Sequence, residues 1–428
     1  MRISMVAIGS TGDVRPYVLL GRELKKRGHE VTIVCFDMTE KLVTEAGLNF
    51  APLAGSVKDI FLAVMTPGTN GFTFLPKFKN ALLDDLPQFL HTLEEGWRDA
   101  EAIICTFFGS VVYSIAEKHK IPCIQTHYFL MDYNDMFPIT TAPGLKMGKA
   151  WNKVSYKMGY ALINTLEWHY LSDWRSEEGM KSKKISMSPD YYINGHKIPV
   201  LYAISPLLVP RAPEWDEHIH MTGFWTDPEP CEYEPEPSLV RFLEEGEKPV
   251  YIGFGSMVSS DMGQTLDIVL KAVAASGVRA IIGRGWGGGA LDAALSNPNV
   301  YVADYIPHDW LFSRVSAVVH HGGAGTTAAG VLACKPTLVV PFGGDQPFWG
   351  QRIYDLGIGP KPIKRENLTV EKLADALIEL THTPRFNVAV SEIGERMKYE
   401  NGTLLAADIV EREIGDWIAE DRRREGDW

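Results

Sequence analysis

Two glycine-rich turns, each set between an apolar run and a helical segment, constrain this chain more than any other feature. The first apolar run, Met1 to Ile8, ends in Gly9-Ser10-Thr11-Gly12-Asp13. The second, Ala317 to Val319, runs into His320-His321-Gly322-Gly323-Ala324-Gly325-Thr326-Thr327 and a helix of small residues. An apolar run from Thr337 to Phe342 follows and leads to Asp345-Gln346. Small residues at a strand-to-helix turn let backbone N–H groups approach an anion, and the helix N-terminus favours negative charge. A histidine beside such a turn can donate to a phosphate oxygen, and an Asp-Gln pair offers what sugar hydroxyls need. The constellation suits a sugar joined to a diphosphate.

The same alternation recurs along the chain. Val18 to Lys26 has helical periodicity with Gly28 as its stop, and Val31 to Phe36, Ala102 to Thr106 and Cys123 to Thr126 read as buried strands. After a stretch rich in proline, acidic residues and tryptophan (Pro206 to Pro237), the series restarts with Val250 to Phe254, Arg279 to Ile282 and Val300 to Ala303. Helices are expected over Gln264–Ala275, Phe348–Leu356, Val370–Leu380, Glu392–Tyr399 and Ala406–Ala419. Strands alternating with helices predict an α/β chain with parallel sheets covered on both faces.

At 428 residues, two domains are expected. We place the first over 1–209, a linker over 210–245, the second over 246–400, and a final helix over 401–428. The net charge of −12 argues against a nucleic-acid partner. Cys35, Cys105, Cys123, Cys231 and Cys334 are scattered, odd in number and without metal-ligand spacing, which points to a reducing cytoplasm. No run approaches the ~20 apolar residues of a membrane span, which leaves open a transient, peripheral contact with a lipid surface.

The segments IPHDWLF, HHGGAGTTAAG and GDQPFW, in that order, resemble the donor-binding signature of family 1 nucleotide-sugar glycosyltransferases. Their wording is most similar to sterol glucosyltransferases and to bacterial enzymes that glycosylate glycopeptides and macrocycles. The resemblance spans nearly the whole chain and is weak between about Asn49 and Lys197. It implies the GT-B fold, two Rossmann-like domains facing across a cleft, with the last helix crossing back onto the first domain and the acceptor bound by that domain.

The resemblance also distributes roles. Asp13 would be the general base of an inverting transfer, standing where plant members carry a histidine; read from the residues alone, it caps the helix beginning near Val14. Ser256, in Gly253-Phe254-Gly255-Ser256, would meet a phosphate oxygen, although alone that stretch reads as a plain turn. His321 and the Gly323, Ala324, Gly325, Thr326 turn would hold the diphosphate, with His320 turned into the core. Tyr305-Ile306-Pro307 would lie by the base, with the Ile306 backbone reading its edge and Trp286 on the nucleoside side. Asp345 and Gln346 would bind the sugar, and glutamine there accompanies glucose more often than galactose.

Two departures from the plant pattern matter. Ala329 replaces the glutamate that binds the ribose, so UDP and dTDP both stay open, and Cys105-Thr106 replaces the aspartate that orients the histidine base. With no Asp-x-Asp motif, no metal and no cofactor beyond the donor substrate, UDP-glucose or a related nucleotide sugar, are expected. The acceptor should be a lipophilic small molecule, sterol-like or a polyketide, flavonoid or glycopeptide aglycone. Phe61, Phe72, Phe74, Phe78, Phe107, Phe108, Tyr128, Phe129, Tyr133 and Phe137 are candidates to line its slot, most of them serving as core. The aromatic-rich segment Trp151 to Trp174 reads as a packed helix or a lid touching lipid. A sugar-nucleotide epimerase and a non-catalytic sugar-nucleotide binder stand as alternatives. A dinucleotide oxidoreductase is disfavoured because the first turn lacks G-x-G-x-x-G.

Overall fold

The computed structural model describes residues 1–55, 86–106, 109–140, 148–182, 192–227, 232–255, 262–284 and 297–426. Strand β1 (Arg2–Val6), helix α1 (Thr11–Lys26), β2 (Glu30–Cys35), α2 (Glu40–Glu45) and β3 (Asn49–Pro52) open the first domain. α3 (Leu86–Glu95), β4 (Ala102–Cys105), α4 (Gly109–His119), β5 (Cys123–His127) and the long α5 (Lys149–Glu177) follow. A short hairpin, β6 (Tyr192–Ile193) and β7 (His196–Lys197), precedes β8 (Val200–Tyr202) and β9 (Ile219–Met221). Among the described residues the seven strands β3-β2-β1-β4-β5-β8-β9 lie side by side in that order, all parallel.

The second domain is built alike. It comprises α6 (Pro237–Glu244), β10 (Val250–Gly253), α7 (Met262–Ser276), β11 (Ala280–Gly283), β12 (Val300–Ala303), α8 (His308–Phe312) and β13 (Ala317–His320). α9 (Ala324–Leu332), β14 (Thr337–Val339), α10 (Gln346–Asp355), α11 (Val370–His382) and α12 (Pro384–Met397) complete it. Its parallel sheet runs β12-β11-β10-β13-β14. The two orders match: each sheet grows to one side of its first strand and then reverses to the other. That reversal opens a crevice beyond the carboxyl ends of the two strands flanking it, where open α/β sheets bind ligands. The crevices lie beyond β1 and β4 in one sheet and beyond β10 and β13 in the other.

Residues 210–245 are not a continuous linker. Ile219–Met221 is an edge strand of the first sheet, paired with β8. At the other end, α6 buries Leu239 among Tyr251, Ile281 and Phe312 of the second domain. The crossing itself is confined to the segment after Met221 and before Pro237. Helix α1 begins at Thr11, ahead of the start expected near Val14 and of the periodic stretch from Val18.

The last helix, α13 (Gly402–Gly426), lies on the first domain. Ala406, Ala407, Ile409, Val410 and Ile414 are buried with Val14, Tyr17 and Leu20 of α1. Arg27 donates to Asp408 (2.6 Å) and Glu411 (2.9 Å), and His29 meets Glu411 at 2.8 Å. The chain therefore crosses between domains twice, and the crossings touch. A Cβ at Gly402 would lie 2.4 Å from the Phe224 carbonyl oxygen, Ser205 donates to Glu400 (2.6 Å), and Thr403 donates to the Thr226 carbonyl (2.8 Å). Elsewhere the domains meet through Phe137 on Phe348 (ring centroids 5.4 Å apart) and Arg352, which gives two hydrogen bonds to the Leu208 carbonyl. Among the described residues no helix is long and apolar enough to cross a membrane.

Candidate active site

On the first domain the site begins with backbone geometry. Gly9 adopts φ +145°, and a Cβ there would sit 2.3 Å from Oδ2 of Asp13, so only glycine lets the carboxylate fold back over the turn. Ser10 caps α1, and its backbone N–H (2.7 Å) and hydroxyl (3.0 Å) both donate to Oδ2 of Asp13. This is a capping box with aspartate at its third position. The helix is thus capped by Ser10, not by Asp13. Although Asp13 shows part of its surface to the cleft, burial holds its carboxyl above the usual range and outweighs the bonds from Ser10.

Behind Asp13 stands a polar chain inside the crevice. Tyr128 donates to the Asp13 carbonyl and meets the Thr106 hydroxyl, both at 3.4 Å. Thr126 donates to the Cys105 carbonyl (2.8 Å) and bonds the Tyr17 hydroxyl. Thr106, standing where the histidine-based relatives place an aspartate, is thereby part of the floor beneath Asp13. Burial raises the Tyr128 hydroxyl pKa well above its ordinary value, with Asp13 and Asp345 adding negative field.

On the second domain His321 leaves the end of β13 between two glycines. A Cβ on Gly255 would come within 3.1 Å of its ring, and one on Gly323 would lie 2.6 Å from Nε2. His320 points the opposite way, fully buried, with Nδ1 accepting from the Gly322 N–H (2.9 Å). Gly323 is the N-cap of α9, whose N–H groups at Ala324, Gly325 and Thr326 begin the helix and face the same crevice. Nδ1 of His321 is buried without a hydrogen-bond partner among the described residues. Burial, then neighbouring His308, lowers its pKa to about 4, so the ring is neutral at pH 7 and has an N–H to donate but no charge. Gly323→Ala should leave the fold intact, as judged by an unchanged melting temperature, yet displace this ring and weaken nucleotide-diphosphate binding about tenfold or more by calorimetry. That is the usual worth of one hydrogen bond to a charged group.

Asp345 is the N-cap of α10, and Trp349, one turn on and fully buried, donates its indole N–H to Oδ2 at 2.8 Å. Burial raises the Asp345 carboxyl to about 7, and the field of Asp13 adds to the rise, so the two carboxyls sense each other across the cleft. Gln346 differs from expectation in its surroundings. It is 4% exposed, and its Oε1 accepts from the Phe342 (2.7 Å) and Gly343 (3.1 Å) N–H groups, pinning the loop that presents Asp345.

Tyr305 is 68% exposed and its hydroxyl accepts from Arg15 of the first domain (3.3 Å), bridging the cleft; Ile306 is buried in the core beneath α8. Ser256 and Trp286 lie outside the described residues, as do Phe61, Phe72, Phe74, Phe78, Phe107 and Phe108. Tyr128, Phe129, Tyr133 and Phe137 are all partly buried along one loop of the first domain.

Four residues join the site that sequence reasoning did not single out. Ser10 was legible in the Ser-x-x-Asp spacing, and Trp349 in its i,i+4 spacing from Asp345. Arg15 and His308 had no such signal. Burial, then the charge of Arg15, lowers the His308 pKa to about 4, and His308 in turn acts on His321.

Comparison with known proteins agrees with this geometry. Residues 3–133 match the glycosyltransferase family 28 N-terminal domain, and residues 288–408 the C-terminal domain of erythromycin biosynthesis protein CIII-like proteins. A sterol 3-beta-glucosyltransferase of Arabidopsis thaliana is 35% identical over 94% of this chain and 64% of its own length. A second from that plant is 32% identical over 97% of this chain and 68% of its own. One from Aspergillus fumigatus is 32% identical over 97% of this chain, which spans only 30% of that protein. Among solved structures, the kitacinnamycin glycosyltransferase superposes with a TM-score of 0.72 (19% identity, covering 96% of this chain and 99% of that one). The calicheamicin glycosyltransferase CalG4 gives 0.71 (18% identity, 97% and 98%). Paired Rossmann-like sheets, a glycine turn in each crevice and these relatives together place the chain in the GT-B nucleotide-sugar glycosyltransferases, within the sterol glucosyltransferase family.

Proposed function

We propose that the chain is an inverting hexosyltransferase that moves glucose from UDP-glucose to a hydroxyl of a sterol-like lipophilic acceptor, in the cytoplasm. The observation that carries this is the juxtaposition of Asp13 on one domain with Asp345 and the His321 turn on the other. Both hydrogen bonds that tether Asp13 fall on Oδ2, so Oδ1 is the oxygen that takes the acceptor proton. Its raised pKa strengthens it as a base. The acceptor oxygen attacks the anomeric carbon as the bond to the diphosphate breaks on the opposite face. The α9 N-terminus and the His321 N–H receive the charge growing on the leaving oxygen, a role a divalent ion fills in other transferases. We therefore propose metal independence. Asp345 orients the sugar, and Gln346 acts through the loop it pins. Tyr305 and the Ile306 backbone lie at the nucleoside end.

Mass spectrometry of reactions containing UDP-glucose, EDTA and separate sterol, flavonoid and macrolide acceptors tests this directly. A gain of one hexose on the sterol, undiminished by EDTA, is expected. A hexose gained by another acceptor class alone would refute the sterol assignment. Free sugar or an epimerised nucleotide sugar without acceptor would refute the transferase.

A further inference from the structure

Helix α5 carries a surface that the proposed reaction leaves unexplained. Its first three turns bury Tyr156 and Tyr160 in a small cluster with Met131 and Ile139, beneath the loop that starts at Tyr128. The rest of the helix surface is solvent-facing and patterned, with lysines along the border of the buried side and an apolar stripe further round. Lys149, Lys153 and Lys157 recur at i, i+4 and i+8, all exposed, and beside them run Trp151, Val154 and Met158 at i, i+3 and i+7. Val154 is 45% and Met158 61% exposed, and Trp151 is partly exposed. From Met136 to Leu166 the sequence contains four lysines and no aspartate or glutamate, in a chain whose net charge is −12. Lys149 is held by Asp135 (2.9 Å) and feels Glu214. Lys153 lies over the Tyr133 ring, and among the described residues neither it nor Lys157 has a carboxylate partner.

An apolar stripe bordered along one side by lysines, on an acidic protein, is matched by one kind of surface. Anionic headgroups take the lysines while the stripe enters the boundary between headgroup and acyl chain. Aromatic and thioether side chains beside basic ones suit that boundary. A nucleic acid would need basic charge spread well beyond two turns of one helix. A second copy of this chain would bring lysines against lysines.

We propose that the exposed face of α5 docks the first domain onto an anionic lipid surface. The helix that carries this face packs on the Tyr128–Phe137 loop, which reaches both Asp13 and the second domain. Docking there sets the cleft mouth beside the bilayer from which a lipophilic acceptor would come. The docking inference itself stands on the helix face alone and does not depend on the acceptor reading.

Sedimentation with vesicles of phosphatidylcholine, with and without about one-third phosphatidylserine, tests it. The whole chain should bind the mixed vesicles and lose binding at high salt. Lys153→Glu with Lys157→Glu should reduce binding about twenty-five-fold or more, at about fivefold per lysine. Val154→Ser with Met158→Ser should reduce it with the salt dependence retained. Both pairs should keep the wild-type melting temperature and the wild-type rate on a detergent-dispersed acceptor, which separates failed docking from failed chemistry. Equal binding to neutral vesicles, or unchanged binding by the lysine pair, would overturn the proposal. So would a dimer in solution that Met158→Asp dissociates, since this face would then belong to a second copy.

Discussion

Asp13→Asn should lower kcat by about a thousandfold while leaving donor binding untouched. General-base catalysis contributes roughly 10²–10⁴, and asparagine removes the base while preserving nearly everything else. Its side-chain oxygen can still accept from Ser10, so the capping box survives, and the change fits beside Gly9 because asparagine is isosteric. A role confined to capping α1 makes the opposite prediction: the variant would then keep the wild-type rate. Single-turnover kinetics with calorimetric titration of UDP distinguishes the two. The acid limb of the wild-type kcat/KM profile should also lie above the ordinary aspartate range of about 3.9, because burial raises Asp13.

Asp345→Asn should make the protein less active and more stable. The wild-type carboxyl rises from 3.8 to about 7 in the folded chain. A raised acid stabilises the fold fully below its unfolded pKa, and that stability is lost as pH climbs through about 7. Asparagine does not titrate and can still accept from Trp349, so its advantage over wild type should be small at pH 4 and full at pH 8. The rise from 3.8 to about 7 corresponds to at most about 4 kcal/mol. Asp345 is partly open to the cleft, and solvent screening brings the expected gain to about 1–3 kcal/mol, visible as a rise of several degrees in melting temperature at pH 8. Donor kcat/KM should meanwhile fall about ten- to a hundredfold through the loss of a charged acceptor for sugar hydroxyls. An advantage over wild type that is the same at both pH values would show that the wild-type carboxyl is ionised at ordinary pH and that the cleft is wetter than its lining implies.

These two residues show what the sequence could and could not convey. Parallel strands buried on both faces read as apolar runs, which is why β1, β2, β4, β5, β10 and β13 were visible from composition alone. Asn49–Pro52 and Ile219–Met221 were not. Each lies at a sheet edge, is three or four residues long and only partly buried, and becomes a strand because a neighbour offers it a ladder. The glycine turns carried the site because their chemistry is local. The pairing of Arg15 with Tyr305 joins residues 290 positions apart, and no periodicity encodes it. Gln346 illustrates the converse: a residue type suited to sugar hydroxyls is used here to bond the backbone of Phe342 and Gly343.

The two crossings between domains have a mechanical consequence. A body tethered to another by one strand can swivel about many directions; tethered by two separate strands it is nearly locked. Here the tethers converge, with Gly402 against Phe224, Ser205 on Glu400 and Thr403 on Thr226. Side by side, they act as the pin of a door. Such a pin would favour opening and shutting of the cleft over sliding of one wall along the other. Any opening about that pin would carry Asp13 and Asp345 apart along one arc and return them to the same alignment on closing.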